Sequence, residues 1–211
     1  MNKNEVYEAM RFQIISNAIQ PGKILTEKDL MEQFGIGRTP LRDVLLKLEE
    51  EALINTLPRH GHMVMPVDVS EVRELVELRR ELEGFAGSLA AERISPSQLE
   101  QMRAILQQDD EREFPQRRSM PNISEFFDTR FHFILYEATQ NRKLAKVLRG
   151  LHSVMFRIWF HIGLSTLDYS LLAQNLNSVL KALEQKDSQA ARRAMERHVE
   201  LYAEKIREKF L

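Results

Sequence analysis

From residue 70 to the end of the chain, apolar residues return every three or four positions, and no stretch reads convincingly as a strand. That period keeps side chains on one stripe of an α-helix, whereas in a strand it would scatter them over both faces. In "SEVRELVELRRELEGFAGSLAAERI" the stripe is Val72, Leu75, Leu78, Leu82 and Phe85, with Ser70 as N-cap. Helix breakers divide the remainder of this half, "SPS" at 95–97 and "RSMPN" at 118–122. A helix is expected from about Ile123 to Thr139, and another from Asn141 with Leu144, Val147, Leu148 and Leu151 inside. "STLDYSLLAQNLNSVLKALEQKD" and "SQAARRAMERHVELYAEKIREKF" supply the last helices. The pattern predicts a bundle of about six helices, antiparallel where connections are short.

The first 66 residues are built differently. "NEVYEAMRFQIISNAI" has Val6, Met10, Ile14, Ile15 and Ile19 at helical spacing and ends at the turn signal "QPG". "LTEKDLMEQFG" offers Thr26 as N-cap, Leu30, Met31 and Phe34 as a buried face, and Gly35 as the left-handed closing residue. A third stripe holds Leu41, Val44, Leu45 and Leu48. "LINTLPRHGHMVMP" then alternates loosely about a turn at Pro58 to Gly61, which predicts a small β-hairpin. Three helices and a hairpin in this order are the plan of a winged helix-turn-helix. The chain thus divides into a winged helix-turn-helix over 1–66, a linker over 67–69 and a helical domain over 70–211. The fold class is mainly α.

Several classes are excluded by composition. The 211 residues contain no cysteine, so disulfides and thiolate chemistry are absent. No apolar run approaches the ~18 residues of a membrane span. "MNKNEVYEAM" has no apolar signal core, and the expected location is the cytoplasm. Net charge is −1, and residues 1–66 carry eight Lys/Arg against nine Asp/Glu. A nucleic-acid partner therefore has to be argued from local clusters.

One such cluster is "GIGRTPLRD". In a helix-turn-helix, the second helix enters the major groove with its N-terminal residues forward. Arg38 and Arg42 are four apart and share a face, opposite the Leu41, Val44, Leu45 and Leu48 stripe. A guanidinium matches guanine O6 and N7, and Thr39 can bond a phosphate or a base. Pro40 suits a first helical turn, where its missing N–H has no partner to lose. Arg59, His60 and His62 cluster around Gly61 at the hairpin tip, and Lys28 is placed for a phosphate contact.

The run "IISNAIQPGKILTEKDLMEQFGIGRTPLRDVLLKLEEEALINTLPRHGHMV" resembles the winged-helix domain of the GntR family of bacterial transcription regulators. The resemblance implies operator contacts from Lys28, Arg38, Thr39, Arg42, His60 and Gly61, to which the tip cluster adds Arg59. Two positions depart from the family pattern. Gly37 stands where serine is frequent, which removes a capping hydroxyl, and Ala52 stands where glycine is usual before the wing.

In the helical domain, Asp128 and His132 are four apart on one helix and His198 lies on the last. An Asp with two His suits a divalent transition metal. "ELVELRRELEGFAGSLAAE", "DTRFHFILYEATQNRKL" and "ALEQKDSQAARRAMERHVE" resemble the FadR-type C-terminal (FCD) domain. That resemblance implies an Asp and three His around a metal of zinc or nickel type. Asp128, His132 and His198 fall on three of these positions, and the fourth is Leu176, which cannot ligate. Three arrangements remain open: three ligands completed by water or effector, a metal-free polar pocket, or rescue by Asn175. Spacing alone does not select His152 or His161 as substitutes. An acidic effector would bind in the same cavity, with Arg79 favoured and Arg157 a second candidate, since guanidinium clamps carboxylate through two parallel bonds. Arg130 is expected to point elsewhere. Asn141 is read as a cap, and Phe156, Trp159 and Phe160 as core.

These features predict a non-enzymatic, homodimeric regulator, a repressor on a palindromic operator, responsive to a small organic acid. Two other readings fit some of the residues. One is a helical metalloenzyme using Asp128, His132 and His198. The other is a DNA-binding protein whose bundle only dimerises.

Overall fold

The computed structural model describes residues 1–66, 72–110, 127–162 and 166–210. Helix α1 (Lys3–Ile15) starts in a capping box, with Asn2 Oδ1 accepting from the Glu5 N–H and the Glu5 carboxylate accepting from the Asn2 N–H. It buries Val6, Met10, Ile14 and Ile15. A two-residue strand β1 (Ile24–Leu25) comes next. Helix α2 (Glu27–Phe34) is capped by Thr26 and closed by Gly35 at φ 60°. Helix α3 (Arg38–Glu50) starts at Gly37 with no side-chain cap, has Pro40 in its first turn, and buries Leu41, Val44, Leu45 and Leu48. Strands β2 (Ile54–Leu57) and β3 (Gly61–Val64) form the expected hairpin.

The sheet has three strands rather than the two read from the sequence. β1 adds antiparallel to the free edge of β3, pairing Ile24 with Met63 and Leu25 with His62, in the order β1-β3-β2. Two residues are too few to carry a period, so β1 leaves no pattern. It exists because β3 presents an open edge.

Six helices complete the described residues: α4 (Val72–Arg93), α5 (Pro96–Asp110), α6 (Phe127–Ala138), α7 (Arg142–Ile162), α8 (Thr166–Glu184) and α9 (Ser188–Phe210). Their starts obey local chemistry. Ser95 and Gln98 make a capping box before α5, Asn141 accepts from the Leu144 N–H at α7, and Asp187 accepts from the Ala190 N–H at α9. The expected 67–69 linker, the Ser70 cap and the "RSMPN" boundary lie outside the described residues.

Helix α4 corrects one expectation. Leu78 and Phe85, assigned to its core stripe, are 48% and 42% exposed. The buried face is instead Leu75, Val76, Arg79, Glu83, Gly84, Ala86, Gly87, Ala90 and Ala91. This small-residue face brings α4 close to α9: a Cβ on Gly87 would lie 2.8 Å from the Ala191 carbonyl oxygen. Close backbone approach decided the burial, over the larger apolar side chains.

The turn from α3 into the wing carries a strained residue. The Leu53 N–H donates to the Leu48 carbonyl and the Ala52 N–H to that of Glu49, the pattern that closes a helix through a left-handed residue. That residue is Ala52, at φ 55°. A Cβ there costs about 1–2 kcal/mol, of which the extra chain entropy of glycine would return part. Ala52→Gly is expected to stabilise the protein by roughly 0.5–1 kcal/mol in urea unfolding. A lower unfolding midpoint would contradict this account of the turn.

Candidate nucleic-acid interface and buried ion site

Arg38, Thr39 and Arg42 are exposed on the first turns of α3, and Lys28 is exposed on α2. Glu27 holds both arginines, at 2.9 Å from Arg42 Nε and 3.5 Å from Arg38 Nε. Both guanidinium groups remain more than half exposed, so these pairs are weak and readily exchanged for a phosphate or base edge. Arg59 and His60 are exposed in the turn between β2 and β3. Gly61, at φ 114°, has a packing reason for its identity: a Cβ would lie 2.4 Å from the Leu25 carbonyl oxygen of β1. His62 instead pairs across the hairpin, its Nδ1 3.1 Å from Thr56 Oγ1.

The bundle encloses a polar cluster in an apolar setting. Asp128, His132, His152 and His198 are all buried. Helix α6 supplies Asp128 and His132, α7 supplies His152 and α9 supplies His198. His132 Nδ1 lies 2.8 Å from the Asp128 carbonyl oxygen. That bond takes the Nδ1 proton and leaves the Nε2 lone pair for a ligand. His198 Nδ1 lies 3.1 Å from Asn175 Oδ1, with the same consequence. Asn175, whose rescue of the fourth position was one of the three arrangements left open, instead holds the His198 ring through this contact. Both Asp128 carboxylate oxygens and Nε2 of His132 and of His198 lack hydrogen-bond partners. His198 Nε2 comes within 3.4 Å of Asp128 Oδ1 without hydrogen-bond geometry.

Burial alone would raise the Asp128 carboxyl, but the imidazoles of His132, His198 and His152 outweigh it and hold the group well below the usual carboxylate range. Burial pushes His152 and His198 down, so both stay uncharged with a lone pair available. One oxygen of Asp128 and one nitrogen each of His132 and His198 lie mutually within 4.8 Å. These unmet valences fit a divalent transition metal, with positions left open for solvent or a carboxylate.

The two arginines expected to clamp an effector are engaged elsewhere. Arg79 Nη2 donates to Glu83 Oε1 at 2.7 Å, and the Tyr136 hydroxyl donates to the same oxygen at 2.6 Å. All three are buried. Burial would pull the Arg79 guanidinium down, but Glu83 outweighs it and holds the group up. Arg157 donates to the Met65 carbonyl beyond β3, and burial pushes it down to about 10. Arg130 is exposed, Asn141 caps α7, and Phe156 and Trp159 are core. The Phe160 and His161 side chains lie outside the described residues.

The spacing argument missed His152. Its Nε2 is 3.8 Å from Asp128 Oδ2 and 3.2 Å from Thr129 Oγ1. Its ring lies 4.9 Å from that of His132, almost the 5.0 Å that separates His132 from His198. Contact between two helices leaves no mark in the spacing of either one.

The next residue, Ser153, ties the bundle to the head. Its Oγ accepts from Arg11 Nη2 at 2.8 Å and donates to Glu51 Oε2 at 3.0 Å. Arg11 Nε also donates to Glu51 Oε2 at 2.8 Å, and the Tyr7 hydroxyl donates to Glu51 Oε1. Glu51 is the C-cap of α3. The recognition helix is thus pinned at its far end to α1 and α7.

A winged helix-turn-helix with exposed arginines at the start of its second motif helix, joined to a helical domain, is the arrangement of a DNA-binding transcription regulator. Residues 2–64 match the "Bacterial regulatory proteins, gntR family" and residues 74–201 match the FCD domain. The chain belongs to the GntR family of transcription regulators, in its FCD-containing branch. It is 30% identical to the Uxu operon transcriptional regulator of Escherichia coli, covering 97% of this chain and 86% of that protein. It is 27% identical to the HTH-type transcriptional repressor RspR of the same organism, over 97% and 88% of the two chains. Among solved structures, E. coli McbR/YncC superposes with a TM-score of 0.80 over 99% of this chain and 98% of that one, at 21% identity. The family and these relatives are regulators, which sets the metalloenzyme reading aside. No helix among the described residues is long and apolar enough to cross a membrane.

The buried Arg79–Glu83 pair yields a direct test. Arg79→Ala leaves the Glu83 charge uncompensated and is expected to cost about 3–5 kcal/mol in urea unfolding. Arg79→Met with Glu83→Leu should recover most of that loss. A single variant as stable as the parent would show that Arg79 is not a structural counter-ion.

Proposed function

We propose that the protein is a homodimeric repressor whose winged helices bind a palindromic operator, and whose helical domain holds a divalent metal and a small organic acid that modulates binding. The observation that carries this reading is the connection of the two sites. α7 lines the polar cluster at His152 and pins the end of the recognition helix one residue later, at Ser153. The repressor sign follows the relative RspR, a transcriptional repressor. Dimerisation has a candidate surface in the exposed Leu78 and Phe85 of α4, flanked by Leu82 and Leu89, which are partly buried against the core.

Asp128, His132 and His198 would hold the metal, with Asn175 fixing the His198 ring. When bound, the ion would neutralise Asp128 and offer open positions to a carboxylate. With Arg79 and Arg157 already bonded within the protein, the metal becomes the cation that attracts an acid effector. Lys28, Arg38, Thr39, Arg42, Arg59, His60 and Gly61 form the DNA face.

Binding to the protein's own promoter region, measured by mobility shift at several salt concentrations, tests the DNA-binding part. Arg42→Ala is expected to weaken operator binding by roughly 5–150-fold and to relax sequence preference at one position. Lys28→Ala should weaken all sequences alike and lower the salt slope by about one. Equal affinity for operator and random DNA would sink specific regulation.

Metal content of the purified protein tests the rest. Asp128→Asn should abolish the ion, and Asn175→Ala should weaken it by about 10–100-fold. If metal and organic acids leave operator affinity unchanged, the bundle serves dimerisation only.

A further inference from the structure

We propose that His152 of α7 takes the ligand place that Leu176 of α8 leaves vacant, so that an ion held by Asp128, His132 and His198 is also held by the helix that pins the DNA-binding head. The inference rests on the proposed metal site and adds the ligand set and the helix that responds.

The geometry around Asp128 is two-sided. Oδ1 faces His198 Nε2 at 3.4 Å, and Oδ2 faces His152 Nε2 at 3.8 Å. Neighbouring ligand atoms on a tetrahedral ion with bonds of about 2.1 Å lie about 3.4 Å apart. The first contact already has that spacing, whereas His152 stands outside the set of Asp128, His132 and His198 atoms that lie mutually within 4.8 Å, so its ring has to move inward to join them. The His152 and His198 rings flank His132 at nearly equal separations, 4.9 and 5.0 Å. Leu176 is fully buried and brings no donor atom.

The surroundings of His152 suit a ligand. Its Nε2 lies on the Asp128 side and bonds Thr129 Oγ1, a bond that an ion would replace, while its Nδ1 is buried without a partner. Glu83 offers a carboxylate oxygen within 4.8 Å of a nitrogen of His152 and of His132, and Glu83 Oε2 is itself unpartnered. Arg79 and Tyr136 hold Glu83 in place through its other oxygen.

The consequence lies one residue on. Closing His152 onto an ion moves the turn of α7 that carries Ser153, and with it the bonds to Arg11 and Glu51 at the end of α3. A ligand on α8 would have no such connection, since Leu176 is on a different helix.

The experiment titrates the metal-free full-length protein with Ni(II) and Zn(II) by calorimetry, and counts coordinated imidazoles by X-ray absorption. The parent protein should bind one ion per chain through three imidazoles. His152→Ala should lose about 100-fold or more in affinity, beyond the range of an outer-shell change, and one imidazole. Adding Leu176→His to His152→Ala should restore the third imidazole and at least about tenfold of the affinity. His152→Asn keeps a polar group beside Thr129 and replaces the alanine variant if that one does not fold. Unchanged affinity and imidazole count in the His152 variants would overturn the inference and leave the metal reading standing. A double variant that stays weak would also overturn it, because His152 would then act through packing. A parent protein that binds neither ion would overturn both.

Discussion

The carboxylate of Glu51 is the point on which the two halves of the molecule meet. It accepts from Tyr7 and Arg11 of α1 and from Ser153 of α7, while its backbone ends α3. Arg11 is 2% exposed, and removing either charge would strand the other in a poorly hydrated seam. Lys146 of α7 adds a pair with Glu50 at 3.0 Å, and Arg157 bonds the Met65 carbonyl just beyond β3. Among the described residues, α7 thus holds the head at the end of the recognition helix and at the base of the wing.

The polar interior of the bundle obeys the same economy of contacts. Glu83 from α4, Asp128 and His132 from α6, His152 from α7, Asn175 from α8 and His198 from α9 converge on one region. An apolar core of equal volume would serve stability as well or better. What the polar set adds is unmet valence: buried oxygens and nitrogens without partners are rare in folded proteins and mark places where something else completes the bonding. The Arg79–Glu83–Tyr136 group has its charges balanced internally, whereas the Asp128 carboxylate is surrounded by the imidazoles of His132, His152 and His198.

Local chemistry made the head readable in the sequence. Thr26, Gly35, Pro40 and the Pro58–Gly61 turn each act within a few residues of themselves, and each does in the structure what its type requires. Ala52 was visible as a departure, and its left-handed backbone explains why glycine belongs there. The bundle was readable in helix number and not in helix rotation. Leu78 and Phe85 looked like core because they are large and apolar, yet α4 turns its glycines and alanines inward to approach α9. The buried Arg79 and Glu83 rode in on that face. For the same reason Asp128 and His132, four apart on one helix, could be found from spacing, whereas His152 could not.

The placement of Glu51 also sets the mechanical gain of any change in α7. Helix α3 has 13 residues, so about 20 Å separates its pinned end from Arg38 and about 14 Å from Arg42. A packed helix moves as a rigid body, because its interior bonds are costlier to break than its contacts are to slide. A tilt of about 10° at Glu51 would therefore carry Arg38 by about 3 Å, the length of one hydrogen bond, and Arg42 by about 2 Å. Bidentate reading of a base edge does not survive an error of that size, while a phosphate contact from a long cationic side chain does. Motion delivered through this seam would thus degrade sequence-specific binding before it degraded general affinity for DNA. Glu27 of α2 pairs with both Arg38 and Arg42, but at this exposure the pairs are weak and give way to a phosphate or base edge.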